Sequence, residues 1–191
     1  MQDKPALQQG LSRDLASLVS ALRTPVVLPF IRAFFLTMSR EWTRIEALRL
    51  DKYLYLIRQY VNASFTFLSR HKWKKSLVEQ WNAVVEETPL ECENMRIPNG
   101  LRYHVMDVWV DEMEKVEGEA WEKEDKKETV ETLVLPIERM AKEGKLKTLR
   151  NAAKEVLADD RLRAWRGQEV EMTEEAKDDE DSEAEWGGFA D

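Results

Sequence analysis

REWTRIEALRLDKYLYLIRQYV, residues 40–61, sets Arg40, Arg44, Arg49, Lys52 and Arg58 among Trp42, Leu50, Tyr53, Leu54, Leu56 and Ile57. From about Ala47 to Ser69 the apolar positions Leu50, Leu54, Ile57, Val61, Phe65 and Leu68 recur at helical spacing. Tyr53, Leu56 and Tyr60 widen that stripe beyond a single seam. A stripe this broad belongs to a helix packed on more than one side, so the segment reads as the interior helix of a layered array.

Upstream, SRDLASLVSALR (12–23) places Leu15, Leu18, Val19 and Leu22 on one helical face, with Ser12 as the expected N-cap. Thr24-Pro25 ends that helix. A second runs from about Val27, with Pro29 in its first turn and Phe30, Phe34, Phe35 and Met38 as its apolar face. Downstream, the spacing predicts helices over 77–87, 101–116, 129–144 and 147–159. Pro136 should kink or break the third of these. Residues 117–128 read as a loop or an exposed helix entry, and RLRAWR (161–166) as a turn.

Successive helices joined by short loops should pair antiparallel. The expected fold is all-α, a bundle or a short HEAT-like stack of helix pairs over residues 1–167. Residues 168–191 are dense in like charge and read as a disordered acidic tail.

The net charge of −8 is unevenly spread. Residues 1–75 carry 13 Lys and Arg against 5 Asp and Glu, whereas residues 169–191 carry one lysine against 11 acids. The front can face an acidic partner and the tail cannot.

Catalytic signatures are missing. His71 and His104 lie far apart and Cys92 stands alone, with no metal-ligand spacing, nucleophile elbow or phosphate-cradling glycine loop. The acidic flanks of Cys92 oppose a reactive thiolate. No enzyme, cofactor, metal or small-molecule substrate is expected, and no run is long and apolar enough to span a membrane. A single cysteine fits a reducing compartment.

Three groups of residues invite a binding role. Arg40, Trp42, Arg44, Arg49, Asp51, Lys52 and Arg58 form either a partner-docking face or ordinary scaffold ion pairs. Arg70, Lys72, Trp73, Lys74 and Lys75, in SRHKWKK (69–75), fit contact with RNA phosphates and base stacking on the indole. The structural reading, which the sequence favours, is a helix C-terminus with a core-capping Trp. In the tail, Trp186 and Phe189 sit among acids, either as a short motif that orders on binding or as part of a solvated segment. Ser182 lies in the acidic surroundings that an acid-directed kinase prefers.

The stretch containing Phe34-Phe35, Arg40-Glu41-Trp42, Leu48 to Lys52, Tyr53 and Arg58 closely resembles the central segment of the nucleolar ribosomal RNA-processing protein 1 family. A second block, Pro98-Asn99-Gly100-Leu101-Arg102-Tyr103-His104 with Asp107 and Asp111-Glu112, resembles the same family's "PNG" turn and following helix. Together they cover roughly residues 3–117. The resemblance implies a helical-repeat-like, non-catalytic assembly factor of early nucleolar pre-60S particles. Its implied partners are other assembly factors, with pre-rRNA nearby. Two departures stand out. This sequence begins at MQDKP, where relatives have a preceding helix pair with an "LWKGLFY"-like run; either the sequence starts short of that pair or the pair is lost, and one end of the stack is then expected to expose apolar surface. The C-terminal end is acidic rather than basic, and no Lys/Arg cluster forms a nuclear localisation signal, which points to import with a partner. The rival readings are a helical-repeat adaptor that docks peptides in a groove, and an RNA chaperone acting through residues 69–75.

Overall fold

The computed structural model describes residues 5–168. Among these residues the backbone forms nine α-helices and four short 3-10 turns, and no strand. The helices are α1 (Pro5–Ala21), α2 (Thr24–Glu41), α3 (Leu50–Arg70), α4 (Lys75–Glu87), α5 (Asn99–Asp107), α6 (Trp109–Glu117), α7 (Lys127–Glu143), α8 (Lys147–Leu157) and α9 (Asp160–Trp165).

The all-α expectation holds, but helices often pack on a partner further along the chain. α3 lies at the centre between α1 and α6, α4 packs on α7, and α5 on α8. Of the successive pairs, α7 and α8 form the most extensive contact, a hairpin around Gly144. Ile57, Val61, Phe65 and Leu68 of α3 are fully buried, as their spacing requires. Phe65 meets both Trp81 of α4 and Trp109 of α6, with ring centroids 5.1 and 5.5 Å apart. That aromatic cluster fastens three helices at the core.

Several local expectations are revised. Ser12 does not cap α1, which starts seven residues earlier at Pro5; it is buried in mid-helix beside Ala16 and Val19. These small side chains face the core, and Leu15 and Leu18 point outward. The segment 101–116 is two helices, broken at Val108. Residues 118–126 form two 3-10 turns that carry Trp121 into the core, where its Nε1 donates to Met113 O at 2.8 Å. The RLRAWR turn is α9, capped by the Asp159 carboxylate accepting from Arg161 N.

Pro136 does not end its helix: α7 runs from Lys127 through Glu143. Proline has no N–H to give Thr132 O four residues earlier. The buried Asn82 of α4 supplies the substitute, its Nδ2 donating to Thr132 O at 2.6 Å. A break in one helix's hydrogen bonding is thus repaired by its neighbour.

Candidate docking surface

Between α2 and α3 the chain makes an elbow of two 3-10 turns, Trp42–Arg44 and Ala47–Arg49, joined by extended Ile45 and Glu46. The elbow is anchored by Trp42. A Cβ built on Gly100 would lie 2.9 Å from the Trp42 ring, so only glycine leaves room for the indole at the start of α5. The residues of the REW and PNG blocks therefore touch.

The two blocks meet again along α3. His104 Nε2 lies 2.7 Å from Leu54 O, and since a carbonyl only accepts, that nitrogen carries the proton. Burial holds the His104 imidazole below its ordinary pKa, favouring this neutral form. One turn on, Arg58 donates through Nη2 to Asp111 at 2.9 Å and through Nε to Glu112. Glu112 has only 1 % of its surface exposed and also accepts from Asn62 and Lys115. Arg161 of α9 completes the network with bonds to Asp111, Glu114 and Asp159. Burial opposes the Arg58 charge, but the bonds to Glu112 and Asp111 outweigh it and raise the guanidinium pKa. Arg58 is thus tied into an ion-pair network that joins α3, α6 and α9, rather than lying among the elbow's surface cations.

The other elbow residues stay at the surface. Arg40 and Arg44 both pair with Glu41, at 2.6 and 3.0 Å, and Arg49 pairs with Glu46 at 3.3 Å. Asp51 lies exposed in the first turn of α3, where a carboxylate suits the helix dipole, and Lys52 is half-buried beside it. At the tip, Leu48 is 94 % exposed. Arg44, Arg49, Ile45 and Tyr53 line a groove of about 300 Å³, and Arg40 borders a second, of about 350 Å³, that reaches Ile97 and Pro98. The elbow thus offers one bare apolar side chain among cations held by local carboxylates.

The α3–α4 turn divides the 70–75 group. Lys72 and Trp73 both adopt left-handed backbone, at φ of 54° and 52°, in a compact C-terminal cap that places Trp73 N on Leu68 O. The turn folds Trp73 inward to 5 % exposure. Its Nε1 donates to Glu117 at 2.8 Å, its ring meets Trp121 at 4.8 Å, and Lys126 lies over it at 5.7 Å. The indole therefore packs in the core rather than at the surface. Burial pushes the Glu117 carboxyl up, but donation from Ser69, Trp73 and Lys126 outweighs it and holds the group below its usual range. Lys75 pairs with Glu128 at 2.7 Å, whereas Arg70, Lys72 and Lys74 are exposed and, among the described residues, pair with no carboxylate.

One residue whose role the sequence did not reveal is Arg102. Only 1 % exposed, it reaches back from α5 and donates to the carbonyls of Glu91, Asn94 and Ile97 and to Asn99 Oδ1. It clamps the whole loop between α4 and α5. Its place in a PNGLR sequence was visible, but nothing local marks an arginine as buried. Cys92 lies in the same loop, buried, its thiol pKa pushed up by burial. No group of three or more His, Cys, Asp or Glu among the described residues could hold a metal ion, and no described helix is long and apolar enough to cross a membrane. Trp186 and Phe189 lie outside the described residues.

Helices braced by aromatic clusters and inter-helix ion pairs, with a cationic elbow at one surface, define a helical scaffold. A family model described as "Nucleolar protein, Nop52" matches residues 1–187, and the chain belongs to that family. It is 40 % identical over 119 residues to the human "Ribosomal RNA processing protein 1 homolog B", covering 62 % of this chain and 16 % of that protein. It is 37 % identical to the human "Ribosomal RNA processing protein 1 homolog A" over 62 % of this chain and 26 % of the relative. The corresponding Caenorhabditis elegans homolog is 30 % identical over 62 % of this chain and 30 % of its own length. The chain thus spans less than a third of each of these three relatives.

Proposed function

We propose that the chain is a non-catalytic scaffold in rRNA processing and large-subunit assembly, resident in the nucleolus, and that it docks other assembly factors through the elbow between α2 and α3. Family membership and the names of the relatives support the biological setting. The observation that carries the docking reading is Leu48, 94 % exposed on an elbow that Trp42 seats against Gly100. A bare apolar tip on a rigid mount is the arrangement of an interface anchor. The rim cations Arg40, Arg44 and Arg49, with Asp51 and Lys52, steer and orient the partner more than they bind it. Arg70, Lys72 and Lys74 contribute contact with pre-rRNA phosphates, an electrostatic term that weakens with salt.

The test is affinity purification of the tagged full chain from growing cells, with RNA and protein both identified, beside the Leu48→Asp variant. The wild type should recover large-subunit rRNA precursors with a defined set of assembly factors, and Leu48→Asp should lose the proteins contacted by the elbow. Recovery of protein without rRNA precursors overturns the ribosomal reading in favour of a peptide-docking adaptor. Unchanged recovery with Leu48→Asp overturns the elbow alone.

A further inference from the structure

A groove of about 360 Å³ runs between α1 and α3. Its floor is apolar, from Ala16, Val19, Ala63 and Phe67, and Arg13 and Arg70 stand at its rim. Arg13 donates to the Tyr55 hydroxyl at 3.1 Å, and among the described residues neither arginine pairs with a carboxylate. Thr24 Oγ1 lies 3.3 Å from His71 Nε2, which ties the α1–α2 link to the end of α3. Arg23 precedes Thr24, and Lys72 and Lys74 closely follow His71; these three are exposed and, among the described residues, have no acidic partner. Two unmatched cations at the rim and three more next to lining residues in sequence, over a floor that joins Ala16, Val19, Ala63 and Phe67 to polar walls from Ser17, Ser20, Gln59, Asn62 and Thr66, select a ligand that is anionic and carries apolar side chains.

The chain contains one. Residues 169–191 hold 11 acids and one lysine, with Trp186 and Phe189 following the run of acids from Asp178 to Glu185. The described chain ends just past α9, whose Arg161 bonds to Asp111 and Glu114 of α6, on the side of α3 away from α1. Eighteen positions separate Gln168 from Trp186. A coil of that length spans about 24 Å and, fully extended, about 60 Å, several helix diameters of about 10 Å, a reach that can carry the aromatic pair around α3 to the groove. Tethering at such length gives an effective concentration on the order of millimolar, enough to fill a groove of modest intrinsic affinity.

The geometry points to intramolecular docking: Trp186 and Phe189 occupy the floor of the α1–α3 groove while the acids before them face Arg13, Arg23 and Arg70. The tail then acts as a built-in competitor for polyanions at Arg70, Lys72 and Lys74. The docking itself does not rest on the ribosomal reading, and its test involves no particle or RNA.

The experiment uses the full chain with a nitroxide on Ser182→Cys; the buried Cys92 thiol is shielded from the label. In 15N spectra the amides of Thr66 and Phe67 should lose most of their intensity. They should regain it in the Arg13→Glu/Arg70→Glu variant, and in about 1 M salt, where the Debye length shrinks to about 3 Å. Trp186→Ala/Phe189→Ala, which alters no residue of the described fold, should restore the signals as well. Full intensity in the labelled wild type, or broadening that survives both variants, overturns the proposal. Mixing labelled 14N chain with unlabelled 15N chain separates the remaining occupant: equal broadening there assigns the groove to the tail of a second copy and overturns intramolecular docking.

Discussion

Asn82 shows how much one side chain can decide. Pro136 leaves Thr132 O without its helical donor, and Asn82 Nδ2 takes that place at 2.6 Å inside the α4–α7 interface. The Oδ1 of the same amide is buried without a protein partner, so the single bond to Thr132 must outweigh a desolvation cost. Asn82→Leu removes the bond and strands the carbonyl, and should lower stability by about 1–3 kcal/mol in urea unfolding. Pro136→Ala restores an N–H to α7, so the double variant should recover part of that loss; a strictly additive pair would exclude the repair. His104 adds a pH dependence. Its folded pKa is depressed below the unfolded value of about 6.5, so the unfolded chain binds more protons between the two values. Stability is therefore full above about pH 6.5 and declines as pH falls toward the folded value, by at most about 1.4 kcal/mol per pH unit. His104→Gln should flatten that slope below about pH 6.5 without removing the bond to Leu54. The chemical identity of these residues was plain in the sequence, but their burial was not, because burial is set by partners some fifty positions away.

At the scale of elements, periodicity located most helices but not always the face they bury. α1 is the instructive failure. Leu7, Leu11, Leu15 and Leu18 form a regular stripe, yet all four are exposed, while Ser12, Ala16 and Val19 press on α3. The period specifies that residues share a face; it does not say which face is covered, and small residues allow the closest approach of two helices. Leu11→Gln should then change stability by no more than about 0.5 kcal/mol, whereas Ala16→Leu should overpack the α1–α3 contact and cost about 1–3 kcal/mol, both read from urea midpoints. The break at Val108 was illegible for a different reason: neither glycine nor proline marks it, and it arises where α5 and α6 turn to meet different neighbours, α8 and α3. The REW and PNG blocks were legible as blocks. That they form one seam, Trp42 on Gly100 and Arg58 on Asp111 and Glu112, required the fold.

For the whole molecule, charge divides into cations that brace the fold and cations that face outward, and the sequence alone does not sort them. Arg58 and Arg44 both sit in the opening stretch, but Arg44 pairs at the surface with Glu41 while Arg58 holds the buried Glu112. An exposed pair contributes well under about 1 kcal/mol, so Arg44→Met should leave folding nearly unchanged. Removing Arg58 is different in kind. Glu112 would keep Lys115 and Asn62 but lose its guanidinium inside a largely closed site, and Asp111 would retain only Arg161. Arg58→Met should therefore cost about 3 kcal/mol or more, because a buried carboxylate is left under-compensated. Replacing Glu112 with leucine in the same chain removes the stranded charge, and the double variant should regain most of the loss. Chemical unfolding at low and high salt reads both terms at once: the Arg58 penalty should persist in 1 M salt, where surface pairs are screened over about 3 Å. A penalty that vanished with salt would return Arg58 to the surface set and place it beside Arg40, Arg44 and Arg49 as a docking cation.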